Sequence, residues 1–275
     1  MHYNLGKIKH GMYHTNVLKS NFNLQDFNLQ EEVDKAVVKW DKTNVPVIIE
    51  IPQGTYNFEQ LIITRPMTLK GTGRKIKQTQ LFGGISVKKG GRMVSFQNSM
   101  RFEGIPKPGV CFENLQITNV NGTGVWVNAS VCRLKNVRIT ECGDNGLEAS
   151  SVDDDPMRGF LYKSTQAVVN CENVKVVDNK GSGIVSDGTA LVVLEGPGTK
   201  VNNNCTRGYK FDFGLKVDIY HKASIHIVAP LTKAQVSKKN GLRESKNFGV
   251  GKNGGGGNIK NIKNISEYHI KTSKY

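Results

Sequence analysis

Apolar and polar positions alternate in short runs along most of this chain. Leu115-Gln116-Ile117, Val137-Arg138-Ile139 and Val174-Lys175-Val176 each set two apolar side chains on one face and Gln116, Arg138 or Lys175 on the other. A period of two residues predicts strands buried on one side. An asparagine precedes each run (Asn114, Asn136, Asn173), and a turn rich in Asn, Asp and Gly follows it. Such residues tolerate left-handed backbone angles or bond their own main chain. After the turn a second strand begins, as in Val125-Trp126-Val127 and Ile184-Val185-Ser186.

The turns form an internal repeat. The phrases 118–124, 140–146, 177–183 and 202–208 end in Gly124, Gly146, Gly183 and Gly208, at spacings of 22, 37 and 25 residues. The middle spacing is one period plus an insertion of 15 residues, around Ser151–Arg158. A period of this size predicts stacked units that bury their apolar faces against their neighbours. No unit holds a run long enough for a helix. Two or three short strands per period therefore predict a single-stranded right-handed parallel β-helix over residues 46–229. About eight coils spaced by roughly 4.8 Å would give a rod on the order of 40 Å long.

Only Leu29–Trp40 has helical spacing, with Val33, Val37 and Trp40 on one face and Glu31 and Glu32 in the first turn. It is expected to cap the N-terminal end, where an open solenoid would expose a sheet edge. Residues 1–45 thus form an arm and capping helix, and 215–228 the last coil. Residues 230–275 form a Gly- and Asn-rich basic tail that folds back over that end or docks elsewhere.

The first coils also carry a family resemblance. Val47-Ile48-Ile49-Glu50-Ile51-Pro52-Gln53-Gly54-Thr55-Tyr56, Leu61-Ile62-Ile63 and Met67-Thr68-Leu69-Lys70-Gly71-Thr72-Gly73 resemble the opening strands and turns of the pectate-lyase-like superfamily. The later Asn/Gly turns are similar to its carbohydrate-binding and sugar-hydrolase repeats. Gly254-Gly255-Gly256-Gly257-Asn258-Ile259-Lys260 resembles a glycine-rich C-terminal signature of β-helix proteins in algae and large DNA viruses. The resemblance spans roughly 30–265 and implies the fold. It leaves activity open, because the superfamily holds lyases, hydrolases, tail spikes and inert scaffolds.

Charge narrows the partners. Of a net charge of +15, an excess of +8 lies in residues 230–275. Lys233, Lys238, Lys239, Arg243, Lys246 and Lys252 are the candidate binding residues there. A basic segment attracts anionic glycan surfaces, acidic structural proteins or nucleic acid. Sequence-specific nucleic-acid binding is not expected, since no reading motif is present and Phe248, Tyr268 and Tyr275 are too scattered to stack bases. No apolar run is long enough to span a membrane, and residues 1–7 lack the apolar core of a secretion signal. The odd count of five cysteines predicts free thiols in core and turns, and a reducing compartment. Sequons at Asn121, Asn128, Asn204 and Asn264 are read as chance matches in an Asn-rich chain.

Candidate chemistry is sparse. Under a lyase reading Asp153, Asp154 and Asp155, with Glu148 nearby, would bind Ca²⁺, and Arg158 would serve as base or substrate clamp. Three consecutive acids point to alternate sides, so an exposed loop tip is the simpler expectation. Under a hydrolase reading Asp144 and Asp178 would act together from equivalent turns on flanking coils, with Glu141 close by. The aspartate and Gly-His-Gly motifs of the family's hydrolases are missing, and His221 and His226 fall on the last coil. The Asn and Asp of the turns have a structural use as side-chain ladders between coils. His10 and His14 are not expected to bind metal because Gly11 separates them, and Gly71-Thr72-Gly73-Arg74 is not a phosphate loop.

These readings lead to a non-catalytic binding or assembly module without metal or cofactor. The Lys/Asn/Ile-rich composition and glycine-rich signature resemble those of large-DNA-virus proteins, and that resemblance implies a minor, capsid-associated structural protein, in the virion or host cytoplasm. Association into homo-oligomers is compatible. The alternative is a polysaccharide lyase or glycoside hydrolase acting on acidic glycans, with Ca²⁺ only in the lyase case. A partner-selecting repeat of ubiquitin-ligase type is disfavoured, since no F-box-like helical segment precedes the repeat.

Overall fold

The computed structural model describes residues 17–18, 27–88, 109–151, 166–217, 223–241, 248–250 and 258–263. Three strand positions recur in each coil. One coil runs Val131–Lys135, Arg138–Thr140 and Leu147–Ser150. The next runs Val168–Glu172, Lys175–Val177 and Ile184–Asp187, and each strand lies parallel on its counterpart. Repetition builds a parallel solenoid with a nine-stranded sheet on one side and a twelve-stranded sheet around the rest.

The larger sheet bends around a corner because of Thr79–Lys88, a ten-residue strand. Its first half carries Gln116–Thr118 and its second half Val125–Asn128. Later coils replace the middle of that strand with the Asn- and Gly-rich turn, so one continuous face becomes two. Among the described residues between Pro46 and Ala229 the nine-stranded sheet has seven strands, starting at Val47, Met67, Val110, Val131, Val168, Leu191 and Ser224, where about eight coils are expected.

Alternation fixes what lies inside. Ile49, Leu69, Phe112, Leu134, Cys171, Leu194 and Ile227 occupy one register row, and all are buried. The apolar interior therefore runs the length of the stack. All five cysteines are buried and none is in a disulfide, as expected. Burial pushes the Cys111 thiol up to about 12 and that of Cys142 up to about 11.

Two corners repeat a left-handed non-glycine residue on successive coils, and the third is left-handed at Ala129 and Gly188. Asn114, Asn136 and Asn173 have φ of 54°, 51° and 55°, and their N–H groups donate to Lys135, Glu172 and Glu195 of the next coil. Asparagine reaches this conformation readily, which explains its recurrence ahead of each strand. The second corner holds Glu141, Asp178, Asn203 and Lys239, at φ of 57°, 61°, 56° and 53°. Glutamate gains nothing there. Glu141→Gly is expected to raise the unfolding free energy by about 1 kcal/mol, read as a higher urea midpoint. An unchanged midpoint would show that the corner is unstrained.

Inside this second corner lies a ladder of buried asparagine amides. Asn179 Nδ2 donates to Asn204 Oδ1 at 2.8 Å, and Asn204 Nδ2 donates to Asn240 Oδ1 at 3.0 Å. Backbone N–H groups join in, Cys142 to Asn179 Oδ1 at 2.9 Å and Asn204 to Asn240 Oδ1 at 2.9 Å. The ladder satisfies polar groups of a tight turn that water cannot reach.

The glycine column differs from the sequence reading at its last member. Val125, Leu147 and Ile184 donate their N–H groups to the carbonyls of Gly146, Gly183 and Gly214. Gly214, not Gly208, is therefore the fourth repeat glycine. Gly208 sits in an enlarged turn at φ 77° with open space around its Cα.

The two ends of the stack differ. Leu29–Thr43 is helical, with Asn28 Oδ1 accepting from Glu31 N–H and Asn44 closing the C-terminus in a left-handed conformation. Leu29, Val33 and Ala36 are buried, and Phe27 and Val37 pack against the same core. Val17–Leu18 pairs with Ile48 and Ile49 at the sheet edge. At the other end both sheets run past Ala229. Ser237–Lys238, Phe248–Val250 and Ile259–Ile262 add strands beyond 200–202, 215–217 and 224–228, so 215–228 is not the last coil. The expansion expected around Ser151–Arg158 lies outside the described residues beyond Ser151, as does the span between Lys88 and Gly109, which joins the same two strand positions two coils earlier.

Candidate functional site

The carboxylates proposed for a hydrolase do not converge. Register places Thr140 against Val177, so the residue above Asp178 is Glu141, whereas Asp144 lies over Gly181 and accepts its N–H at 3.0 Å. Asp144 and Asp178 are thus three positions apart in the turn rather than equivalent. An arginine engages each one. Arg207 Nη1 lies 2.8 Å from Asp144 Oδ1, while its Nε and Nη2 bind Asp212 at 2.7 and 3.0 Å. The Tyr209 ring packs 4.4 Å from the same guanidinium. Asp212, first among its partners, holds the arginine more firmly protonated. Arg138 Nη2 lies 3.3 Å from Asp178 Oδ2, and Asn203 Nδ2 donates to Asp178 Oδ1. Arg138 balances Asp178, whereas the single cation of Arg207 is shared between Asp144 and Asp212.

Other sequence candidates fall outside the described residues: Asp153, Asp154, Asp155 and Arg158, the basic Arg243, Lys246 and Lys252, His10, His14 and His221, and the Gly254–Gly257 run. Of the basic set, Lys238 and Lys239 are exposed, and Lys233 opens a short helix at Lys233–Val236. Among the described residues no three His, Cys, Asp or Glu side chains gather as metal ligands would. No helix among them is long and apolar enough to cross a membrane.

The outer face of the larger sheet carries Gln80, Gln116, Arg138, Lys175 and Lys200 in one register row, three cations on successive coils. Around the corner lies a groove of about 770 Å³ that sequence reasoning missed. One wall is 57–60, where the strand pairing with Thr79–Lys88 slips by a bulge, and the other is the turn at 118–123. Gly83 lets the 57–60 wall lie directly against Thr79–Lys88: at φ 150°, a Cβ there would lie 2.1 Å from the Phe58 carbonyl.

Trp126 and Glu148 close one end of the groove, directly paired across neighbouring coils. The Trp126 indole donates to Ser150 Oγ at 2.8 Å, and Lys88 Nζ stands 5.3 Å over its ring. Glu148 accepts from Asn145 Nδ2 at 3.0 Å. Burial, reinforced by Asp144 and Asp187, raises the Glu148 pKa above 4.5 despite that hydrogen bond. The folded state therefore binds this proton more tightly than the unfolded chain. The resulting stabilisation is complete below about pH 4.5 and is lost as pH rises through the higher folded value. Glu148→Gln keeps an acceptor for Asn145 and should be relatively more stable at pH 7 than at pH 4, measured by thermal unfolding at both. An identical difference at the two values would remove the burial argument.

No protein-family model and no curated protein matches the chain. Among solved structures it is similar to ORF18 of Geobacillus virus E2, at 14% identity over 68% of this chain and 30% of that one, with a TM-score of 0.28. The chain spans 30% of that protein's length, and the superposition is too loose to support a functional argument.

Proposed function

We propose that the chain is a non-catalytic binding and assembly module. It is a right-handed β-helix of pectate-lyase-like type that serves as a minor, capsid-associated structural protein of a large DNA virus. The observation that carries the non-catalytic part is the state of Asp144 and Asp178, each bound by an arginine rather than facing a shared substrate position. The viral part rests on the Lys/Asn/Ile-rich composition and the glycine-rich run at 254–257. Lys175 and Lys200 in one register row, with exposed Lys238 and Lys239, support docking on an anionic partner such as an acidic glycan or a structural protein. Lys233, Arg243, Lys246 and Lys252 extend that contact in this reading.

The test is retention of the intact chain on an immobilised acidic polysaccharide across a salt series. Lys238→Glu with Lys239→Glu and Lys252→Glu should weaken binding by about tenfold or more at low salt and flatten its salt dependence. Unchanged retention would reject the basic segment as the contact.

A lyase or hydrolase is the second reading, favoured by one observation. Glu148 lies in a groove with its protonated form stabilised, the condition a general acid requires. Cleavage of a polysaccharide that Glu148→Gln abolishes would establish it.

A further inference from the structure

We propose that the groove between 57–60 and 118–123 binds a neutral oligosaccharide. The inference deepens the binding-module reading and rests on it in one respect, that the sugar is held and not cleaved. The volume of about 770 Å³ falls within the roughly 300–1,000 Å³ usual for small-ligand sites.

Charge selects the class of ligand. The ionisable side chains lining the groove are Glu59 and Glu148, both acidic, in a protein of net charge +15. An acidic glycan or nucleic acid would bring like charge against these carboxylates. A cation would meet the net positive field and Lys88, which already stands over the Trp126 ring. A neutral ligand avoids both costs.

Chemistry then selects hydroxyl-rich molecules. The Trp126 ring is held in place by its bond to Ser150 and offers a fixed apolar platform for the C–H face of a sugar. Carboxylate and amide groups from Glu59, Gln60 and Glu148 surround it and suit sugar hydroxyls as donors and acceptors. Thr118 supplies an independent sign of a ligand. It lines the groove, is 2% exposed, and its Oγ1 has no hydrogen-bond partner among the described residues. Leaving a buried hydroxyl unpaired costs about 1–3 kcal/mol, and because this oxygen is itself covered, a ligand hydroxyl recovers that cost by displacing the side chain over it.

The experiment is calorimetric titration of the intact chain with neutral oligosaccharides (gluco-, xylo-, manno- and N-acetylglucosamine series) and with oligogalacturonate, at low and high salt. At least one neutral series should bind with little dependence on salt. Trp126→Ala and Thr118→Val should each weaken it by about tenfold or more, equivalent to about 1.4 kcal/mol. Thr118→Val removes only the unpaired hydroxyl, so its melting temperature should hold or rise while affinity falls. A lost affinity with a lowered melting temperature would instead indicate damage to the fold. The proposal is overturned if no neutral series binds, if neither substitution weakens binding, or if oligogalacturonate competes for the groove. Retention on acidic polysaccharide through the basic segment would survive that outcome, whereas cleavage of a bound sugar would defeat the binding-module reading itself.

Discussion

Asn204→Ala should lower the unfolding free energy by about 3–4 kcal/mol, the largest loss expected from any single polar side chain among the described residues. Asn204 stands in the middle of the buried ladder. Its Oδ1 accepts from both the Nδ2 and the backbone N–H of Asn179, at 2.8 and 3.2 Å. Its Nδ2 donates to Asn240 Oδ1 and to the Val176 carbonyl, at 3.0 and 2.9 Å. Truncation strands donors on one side and acceptors on the other, in a corner where Asn179 and Asn240 are wholly buried. Each stranded group costs about 1–3 kcal/mol, less what water recovers by entering the space. Chemical denaturation measures the loss. In a double-mutant cycle with Asn179→Ala, coupling should exceed about 1 kcal/mol, because the two amides bond directly. A loss below about 1 kcal/mol for Asn204→Ala would show that the ladder is not a unit of stability.

Gly183→Ala should cost about 3 kcal/mol through crowding alone. Its Cβ would fall 2.5 Å from Val201 Cγ1, 2.6 Å from the Gly214 carbonyl and 2.8 Å from Asn204 Nδ2. One of these is backbone and another belongs to the ladder, so relief requires coils to separate. Gly208→Ala is the comparison. No atom lies within 4 Å of its Cβ position, so the cost is only the left-handed backbone at φ 77°, about 1 kcal/mol. The ordering tests the register directly. Should Gly208→Ala be the more damaging of the two, the column would run through Gly208 and the strand pairing would be wrong.

These two glycines show how far the sequence could be read. Local signals held where the cause is local. Period-two alternation marked strands with a single apolar face, and Asn114, Asn136 and Asn173 fell at a corner whose left-handed backbone favours asparagine. The helical spacing of Leu29–Trp40 became the helix Leu29–Thr43, packed on the first coil. The expectation of asparagine ladders was met at Asn179, Asn204 and Asn240.

Misreadings came from contacts distant in sequence. The phrase 202–208 has the length and composition of a repeat turn, so Gly208 looked like its end. Gly214 lies six residues later behind Phe211-Asp212-Phe213, which carry no turn signature. The Ile184 N–H on the Gly214 carbonyl and the pairing of Ile184 with Leu215 identify it. Asp144 and Asp178 were aligned by residue type, and counting from Thr140 and Val177 separates them. Arg207 on Asp144 crosses 63 positions of sequence and leaves no local mark. Trp126 and Glu148 were legible in principle, one 22-residue period apart. Their significance depends on the groove beside them, which needs the bulged strand, the long strand at Thr79–Lys88 and the turn at 118–123 together.

The measurement that bears most directly on a non-catalytic binding module is incubation of the intact chain with acidic and neutral polysaccharides, scoring binding and chain cleavage in the same samples. The account predicts binding with no new reducing ends and no unsaturated products. Cleavage that disappears in Glu148→Gln, in Asp144→Asn with Asp178→Asn, or on replacing Asp153, Asp154 and Asp155 by Asn would contradict it and make the chain an enzyme.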